Sequence, residues 1–166
     1  METALAVSDN TVSPCEMSKI VSTVKSLLSI PSTPLEGVTE TLSAIKDSHR
    51  WRMILLTKGD MLDQQNKIRR SGLEEFFDKV VIVSSKGKAE YLSLCREENC
   101  NPGNLLMVGN SFKSDIQPAV AVGCKAAYIP FRTIWRHEKA EEFEHPDIVR
   151  LGTFSDLLKI LLYKAD

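Results

Sequence analysis

The sequence predicts an α/β fold in which the parallel strands of a doubly wound sheet alternate with helices. Four short apolar runs, at residues 53–57, 79–83, 105–108 and 125–129, recur about every 20 to 27 residues, with helical periodicity between them. A polar loop follows each of the first three runs. Because ligands bind at the carboxyl edge of open parallel sheets, these loops predict the position of a functional site.

The stretch from residue 105 to residue 123 shows one such strand–loop–helix unit in full. Leu105 to Val108 are apolar without interruption, which predicts a strand buried on both faces. Gly109 then allows a sharp turn. Ser114, with Gln117 three residues later, predicts a capping box at the start of the following helix.

The helices are predicted from apolar residues three and four positions apart and from the residues that begin and end each helix. Residues 13–28 and 38–45 have this periodicity. Asp60 is expected to cap a helix that ends at Gly72, and Ser155 is expected to cap the last helix. The helix before residue 101 is expected to turn three residues toward the core: Tyr91, Leu92 and Cys95.

Composition and charge exclude several classes of partner. The 166 residues carry a net charge of −1 and no long basic run, so neither nucleic acid nor an anionic membrane surface is an expected partner. The longest apolar runs are about five residues, far short of the roughly 20 that span a bilayer. The four cysteines lack the spacing of metal ligands, and no signal-like pattern is present, so a cytoplasmic protein with free thiols is expected.

Two prolines, Pro31 and Pro34, separate an amino-terminal segment from the regular part of the chain. Proline disfavours the continuation of a helix or a central strand, so these positions are typical of a linker. We therefore predict two parts, residues 1–34 and residues 35–166, with the strand–helix alternation confined to the second part.

Three features occur in a fixed order at the ends of the predicted strands. Thr57 ends the first strand, Lys86 follows the second, and Gly-Asn-Ser-x-x-x-Asp-Ile follows the third. This set resembles the motifs of the haloacid dehalogenase-like (HAD) hydrolase superfamily over roughly residues 35–138, and the segments 54–60 and 128–138 resemble a phosphatase-type branch. The resemblance implies a Rossmann-like core that hydrolyses phosphate esters through an aspartyl-phosphate.

The resemblance implies catalytic and phosphate-binding roles for four residues. Thr57 matches the second motif, and its hydroxyl would bind a phosphoryl oxygen together with the turn of Lys58 and Gly59. Lys86 matches the third motif and would neutralise charge between nucleophile and phosphate. Lys88 is the alternative, but Lys86 lies nearer the end of the strand. Because threonines and lysines are common at such positions without a function, the order of the motifs carries these assignments.

Asp115 and Asn110 match the fourth, metal-binding motif of the resembled family. Asp115 is the stronger candidate ligand for Mg²⁺, because a hard cation prefers carboxylate oxygen. Asn110 stands where many relatives have aspartate, so it offers an oxygen without charge, and weak Mg²⁺ binding is expected. The alternative interpretation of Asp115 is a helix-start residue that the helix dipole favours.

The family's first motif, an apolar strand ending in Asp-x-Asp-x-Thr, is not found ahead of the second motif. The nearest sequence, residues 4–11, aligns Asp9 and Thr11 with the last two positions of the motif and places Val7 at the nucleophile. Valine cannot attack phosphorus, and we interpret this match as accidental. Residues 1–34 then resemble the tail of the family's helical cap, and the nucleophile is absent through truncation or loss.

The missing motif has a structural consequence, because in the family its strand lies centrally, between the strands that end here at Thr57 and Val108. Without it, a row of backbone N–H and C=O groups lacks partners on each side. Three explanations are open: residues 3–7 fill the gap, another chain fills it, or the sequence is a truncated reading of a longer gene.

Two functions from different classes follow. The first is a HAD-type phosphatase scaffold for a small phosphorylated substrate, inactive or impaired without its nucleophile. The second is a non-catalytic module that binds phosphate, metal or a protein partner; an in-frame Asp-x-Asp-x-Thr upstream would favour the first. A receiver-like signalling domain would need an acidic pair after its first strand, and the nucleotide loops GxGxxG and GxxxxGK[ST] are absent. A homo-oligomer is compatible with the sequence.

Overall fold

The chain divides into two compact units, residues 1–33 and residues 34–166. The computed structural model describes residues 12–27, 32–131 and 140–163. The boundary lies one residue from the predicted one. The interpretation of the first unit as a cap remnant stays a prediction.

Helix α1 (Pro14–Leu27) belongs to the first unit. Ser13 and Glu16 begin it with reciprocal hydrogen bonds: the Glu16 N–H donates to the Ser13 hydroxyl, and the Ser13 N–H donates to the Glu16 carboxylate. The hydroxyl and backbone hydrogen bonds of Ser13 lower the pKa of Glu16. The helix predicted for this segment is confirmed as far as residue 27. Leu28 lies outside the described residues.

In the second unit, strands and helices alternate as predicted, which confirms the α/β class. The strands are β1 (Ile54–Lys58), β2 (Lys79–Val83), β3 (Leu106–Gly109), β4 (Lys125–Tyr128) and β5 (Ile148–Arg150). The α-helices are α2 (Val38–Asp47), α3 (Met61–Ser71), α4 (Lys88–Glu97), α5 (Gln117–Val120) and α6 (Leu157–Leu161). A π-helical segment, Phe112–Ile116, leads directly into α5. Strand β5 was missed because its three residues are too few for a periodic pattern.

The strands form two parallel sheets. In one, β1 pairs with β2, with Thr57 opposite Ile82; in the other, the order is β3-β4-β5. Among the described residues, no strand lies between β1 and β3, and each of these two strands has a paired neighbour on one side only. This is the arrangement expected when a strand is missing between them. Residues 3–7, one candidate for that strand, lie outside the described residues.

Pairing explains which strands are buried. In β4, which has neighbours on both sides, Ala126, Ala127 and Tyr128 are all buried. In β3, every residue is half-buried, so the prediction of a strand buried on both faces is wrong. Burial of a strand depends on its neighbours, and the apolar pattern of β3 does not report that, among the described residues, it is paired on one side only.

Two clusters of buried side chains form the core. One joins Leu56 of β1 to Tyr91 of α4 and Ala119 of α5, and the other is built around Phe112, Ile116 and Tyr128. The first cluster connects the two sheets through α4 and α5. The core therefore fixes the carboxyl ends of β1 and β3 relative to each other although the strands do not pair.

Two of the predicted helix ends, both of α3, are confirmed. Asp60 caps α3 by accepting a hydrogen bond from the Asp63 N–H, and Gly72 ends it with φ 68°. Two predictions are wrong. Leu92 is 39% exposed, since Leu94 takes the inward position beside Tyr91 and Cys95. Ser155 lies inside a 3₁₀ turn, whose cap is Thr153 paired with Asp156.

Candidate active site

A buried ion pair occupies the carboxyl edge of the strands. Lys86 follows β2 and Asp115 lies in the π-helical segment after β3, and the Lys86 Nζ is 2.7 Å from the Asp115 Oδ1. The two side chains are only 12% and 7% exposed. Two residues that are 29 positions apart in sequence are thus brought together, at the edge where the motif order placed them.

The π-helical segment holds the Asp115 carboxylate in place. Both the Asp115 N–H and the Ile116 N–H donate to the Ser111 carbonyl, so one extra residue is accommodated in this turn. The Ser111 N–H in turn donates to the Asp115 Oδ2 at 3.0 Å. The predicted capping box at Ser114 is therefore wrong, because Ser111 caps the segment by accepting from the Ser114 N–H. π-helical turns of this kind occur often at functional sites.

Gly109, the last residue of β3, makes room for the Asp115 side chain. A Cβ atom at position 109 would lie 2.3 Å from the Asp115 Oδ2 and 2.6 Å from its Cβ. Real Cβ atoms do not approach heavy atoms this closely, so any larger residue at 109 would displace the carboxylate. Glycine is required here by this close approach of a buried side chain.

Gly109→Ala is expected to destabilise the protein by about 1–3 kcal/mol, the usual cost of overpacking a well-packed site. Urea unfolding measures the loss. Gly103→Ala is the matched control, because a Cβ there meets nothing closer than 4.0 Å. Equal stability of the two variants would mean that Asp115 moves aside at no cost.

Thr57 lies at the end of β1, where its hydroxyl donates to the Gln64 Oε1 at 2.9 Å. Gln64 lies one turn into α3 and folds back over the loop, so that a Cβ on Gly59 would come within 2.8 Å of its Nε2. Gly59 also has φ 153°, a conformation that favours glycine. Gln64 was not predicted as a site residue. The available signal was its position in the first turn of the helix that follows the Thr57 loop.

Lys58 connects this loop to the segment that carries Asp115, and Tyr91 of α4 contacts the same segment. The Lys58 Nζ lies 3.2 Å from the Ser114 hydroxyl oxygen. The fully buried Tyr91 donates its hydroxyl to the Asp115 carbonyl at 3.1 Å. Burial, together with the charge of Asp115, raises the pKa of Tyr91, so it remains a neutral donor. Asn110 is exposed at the start of the same loop.

The donor set of the described residues does not by itself fit Mg²⁺. Asp115 is the one carboxylate among the predicted ligands, and its oxygens are engaged by Lys86 and by the Ser111 N–H. Within the described ranges, no group of three or more His, Cys, Asp or Glu side chains is placed to hold a metal. Magnesium usually needs one or two carboxylates together with substrate phosphate.

The fold and this edge together define a class of protein: a parallel α/β scaffold whose polar residues meet at the carboxyl ends of the strands. A family model, described as haloacid dehalogenase-like hydrolase, matches residues 16–123. The chain belongs to the haloacid dehalogenase-like hydrolase family, as the order of its motifs predicted.

The relatives are phosphatases. The chain is 28% identical over 133 residues to glyceraldehyde 3-phosphate phosphatase of Methanothermobacter thermautotrophicus, covering 77% of this chain and 58% of that protein. It is 30% identical over 89 residues to human N-acylneuraminate-9-phosphatase, covering 51% of this chain and 34% of that protein. The chain therefore spans about a third to slightly more than half of the length of these relatives.

A solved structure shows the same fold. A haloacid dehalogenase-like family hydrolase from Xanthomonas campestris superimposes with a TM-score of 0.80 at 26% identity. The match covers 96% of this chain and 64% of that one. In the part of the chain that the structure describes, no helix has the length and hydrophobicity needed to cross a membrane.

Proposed function

We propose that this chain is a phosphatase scaffold of the HAD type that binds a phosphate group but carries no nucleophile in its own sequence. The observation that supports the proposal best is the buried Lys86–Asp115 pair at the carboxyl edge of the strands, in a chain whose relatives are phosphatases. Lys86 supplies the positive charge that a transferring phosphoryl group requires.

The phosphate would bind beside Lys86 and Thr57. The Thr57 hydroxyl, which donates to Gln64 in the free protein, can turn its proton to a phosphoryl oxygen instead. The backbone N–H of Lys58 is a further candidate donor at the same loop, whereas the Gly59 N–H donates to the Val83 carbonyl at 3.0 Å and would have to leave it to reach a phosphate. In this arrangement Lys86 balances the negative charge of the phosphate, and Tyr91 keeps the backbone of Asp115 in position.

The nucleophile is the missing component. A phosphatase that works through an aspartyl-phosphate needs a carboxylate within reach of phosphorus, and Asp115 is bound to Lys86. Asp9, Thr11 and Val7 lie outside the described residues. We interpret their likeness to the first motif as accidental.

The full chain is therefore expected to hydrolyse p-nitrophenyl phosphate at no more than the background rate in the presence of Mg²⁺. Loss of a nucleophile costs a hydrolase on the order of 10⁶-fold in kcat, which electrostatic groups do not replace. Release of p-nitrophenol measures the rate.

Two variants identify the error if turnover is found. Turnover that Asp9→Ala abolishes would show that the amino-terminal match is real. Turnover that survives Asp9→Ala would place the catalytic carboxylate elsewhere. Val7→Asp completes the Asp-x-Asp-x-Thr pattern and is expected to leave the chain inactive, so a gain of activity would overturn our interpretation.

The substrate class follows from the relatives. The names of three of them, a glyceraldehyde 3-phosphate phosphatase, an N-acylneuraminate-9-phosphatase and a pyrimidine 5′-nucleotidase of Escherichia coli, share a small phosphate monoester. We assign this chain to small phosphorylated molecules and not to nucleic acid, in accord with its net charge of −1. Its four free cysteines suit a cytoplasmic location.

The second candidate is a non-catalytic module. Each Asp115 oxygen already accepts one hydrogen bond, from Lys86 or from Ser111, which weakens it as a metal ligand and favours a site that holds phosphate without converting it. In this case inorganic phosphate shifts the amide NMR signals of residues 57–59 although no ester is hydrolysed. A chain that neither binds phosphate nor hydrolyses esters would contradict both functions.

Mg²⁺ is expected to bind weakly, with a Kd on the order of millimolar or poorer, by comparison with weak cation sites of similar charge. Asn110→Asp adds a carboxylate and should tighten binding, whereas Asp115→Asn should remove it. NMR shifts of the 109–115 amides during a Mg²⁺ titration measure both effects. If both variants respond to Mg²⁺ as the unmodified chain does, the loop after Val108 is not a metal site. Asp115 is then a helix-start residue only.

A further inference from the structure

A cavity of about 400 Å³ lies at the amino ends of β1 and β2. It is formed by the end of α2, the segment that leads into β1, and the residues just before β2. Six of its lining residues matter here: Lys46, Arg50, Trp51, Arg52, Phe76 and Asp78. Since β1 has five residues at about 3.3 Å each, this cavity is roughly 17 Å along the strand from the Thr57 loop.

The cavity has an excess of positive charge. Lys46, Arg50 and Arg52 line it, against one carboxylate, Asp78, which accepts a hydrogen bond from the Met53 N–H at 2.7 Å. Arg52 pairs with Glu98, but Lys46 donates to the Glu75 carbonyl and the Arg50 guanidinium lies 3.5 Å from the Leu162 carbonyl. In the described part of the chain, the recorded ion pairs leave Lys46 and Arg50 without a carboxylate. An anion is the ligand that this charge favours.

Two aromatic rings lie beside these cations. Trp51 donates its indole N–H to the Leu161 carbonyl at 3.3 Å, which fixes one edge of the ring, and the residue is still 42% exposed. The Lys46 Nζ lies over the Phe76 ring, 5.9 Å from the ring centroid, in a cation–π contact. Planar groups stack on such rings, and every nucleobase can do so because each has a flat π-face.

A structural explanation covers only part of this cluster. Lys46 lies in the last turn of α2, where the helix dipole favours a cation. Arg52 has its partner in Glu98. Arg50 and Trp51 lie beyond α2 and before β1, and each donates to a carbonyl at the carboxyl end of α6. These hydrogen bonds position the two side chains, but they give the Arg50 charge no carboxylate among the described residues and leave Trp51 42% exposed.

We propose that this amino-edge cavity binds a nucleoside phosphate, with the phosphate at Lys46 and Arg50 and the base on Trp51. The cavity volume lies within the range of about 300–1,000 Å³ that is usual for small-molecule sites. Recognition is by side chains, which is consistent with a sequence that has no glycine-rich nucleotide loop. The site is separate from the phosphate site at Lys86, and the proposal stands whether or not that site is catalytic.

The test is a fluorescence titration of the full chain carrying Trp135→Phe, so that Trp51 is the single tryptophan. AMP, ribose 5-phosphate and adenosine are titrated separately at low ionic strength. We expect AMP to quench Trp51 saturably, with a Kd at least about tenfold lower than that of either fragment, because each fragment lacks one of the two contacts. Thr57→Val should leave this response unchanged, which separates it from binding at the other edge.

The charge contribution is tested with Lys46→Ala/Arg50→Ala, which should raise the Kd for AMP at least about tenfold. Lys19→Ala removes one positive charge from the other compact unit and should have no effect. Far-UV circular dichroism checks that the variants are folded, and Arg50→Lys should retain part of the affinity. The proposal is overturned if AMP binds no tighter than ribose 5-phosphate, or if Lys46→Ala/Arg50→Ala leaves the Kd unchanged.

Discussion

Asp115→Ala is expected to lower the free energy of unfolding by about 3–5 kcal/mol. The change leaves the Lys86 ammonium, on a side chain only 12% exposed, without its partner at 2.7 Å. A buried charge that loses its counter-ion costs this much because its desolvation is no longer offset. Urea unfolding monitored by circular dichroism measures the loss.

A second ion pair of the chain provides the matched control. Lys67 and Asp63 are 2.6 Å apart on the surface of α3, where the lysine side chain is 50% exposed. Asp63→Ala should therefore cost less than about 1 kcal/mol. The double variant Lys86→Met/Asp115→Leu should recover much of the loss, since it removes both charges together. If Asp115→Ala costs no more than Asp63→Ala, the pair at the carboxyl edge is effectively solvated.

The fold was predictable where it depends on local patterns. The four predicted strands are correct to within one residue at every end, because apolar runs and the residues between them are local signals. Asp60 and Gly72 show the same for α3, whose cap and left-handed end are set by two residues. The burial of a strand could not be predicted, because it depends on the strands that pair with it. Leu105 to Val108 have the apolar run of a buried strand, but in the part of the chain that the structure describes β3 is paired on one side only.

The site was predictable in part for a similar reason. Lys86 and Asp115 were identified by the order of the motifs, and the structure brings them into contact. Gln64 belongs to no motif, and its role depends on how α3 folds back over Thr57, so the sequence did not point to it. The turn that carries Asp115 was assigned to the wrong cap. Ser111 and Ser114 are both acceptable caps by residue type. The contact that distinguishes them, the close packing of Asp115 against Gly109, is visible only in the folded structure.

A synthetic peptide with an apolar strand ending in Asp-x-Asp-x-Thr is expected to give this chain phosphatase activity when added in trans. Strands β1 and β3 have five and four residues, and each is paired on one side. An extended segment between them can hydrogen-bond to both, as in other cases where a peptide adds a strand to a sheet. Partly buried side chains of both regions, including Ile54 and Met107, offer apolar surface for the peptide.

In the parallel orientation, such a peptide delivers its first aspartate to the carboxyl edge, beside Lys86 and the Thr57 loop. The assay measures hydrolysis of p-nitrophenyl phosphate in Mg²⁺-containing buffer. We expect the rate to exceed that with the peptide Asn-x-Asp-x-Thr by at least about 10³-fold. Restoring a nucleophile recovers a factor on the order of 10⁶ when the geometry is perfect, and a misplacement of about 1 Å loses roughly a hundredfold.

Binding and chemistry are separated by a second measurement. The asparagine peptide should bind as tightly as the aspartate peptide, because both have the same apolar strand, and isothermal calorimetry compares them. Lys86→Met should abolish the turnover that the peptide restores, since the phosphoryl charge then has no counter-ion. If neither peptide binds, the gap between β1 and β3 is closed to an added strand. Binding without turnover would instead show that a nucleophile at this edge is not sufficient, and the non-catalytic function would then be favoured.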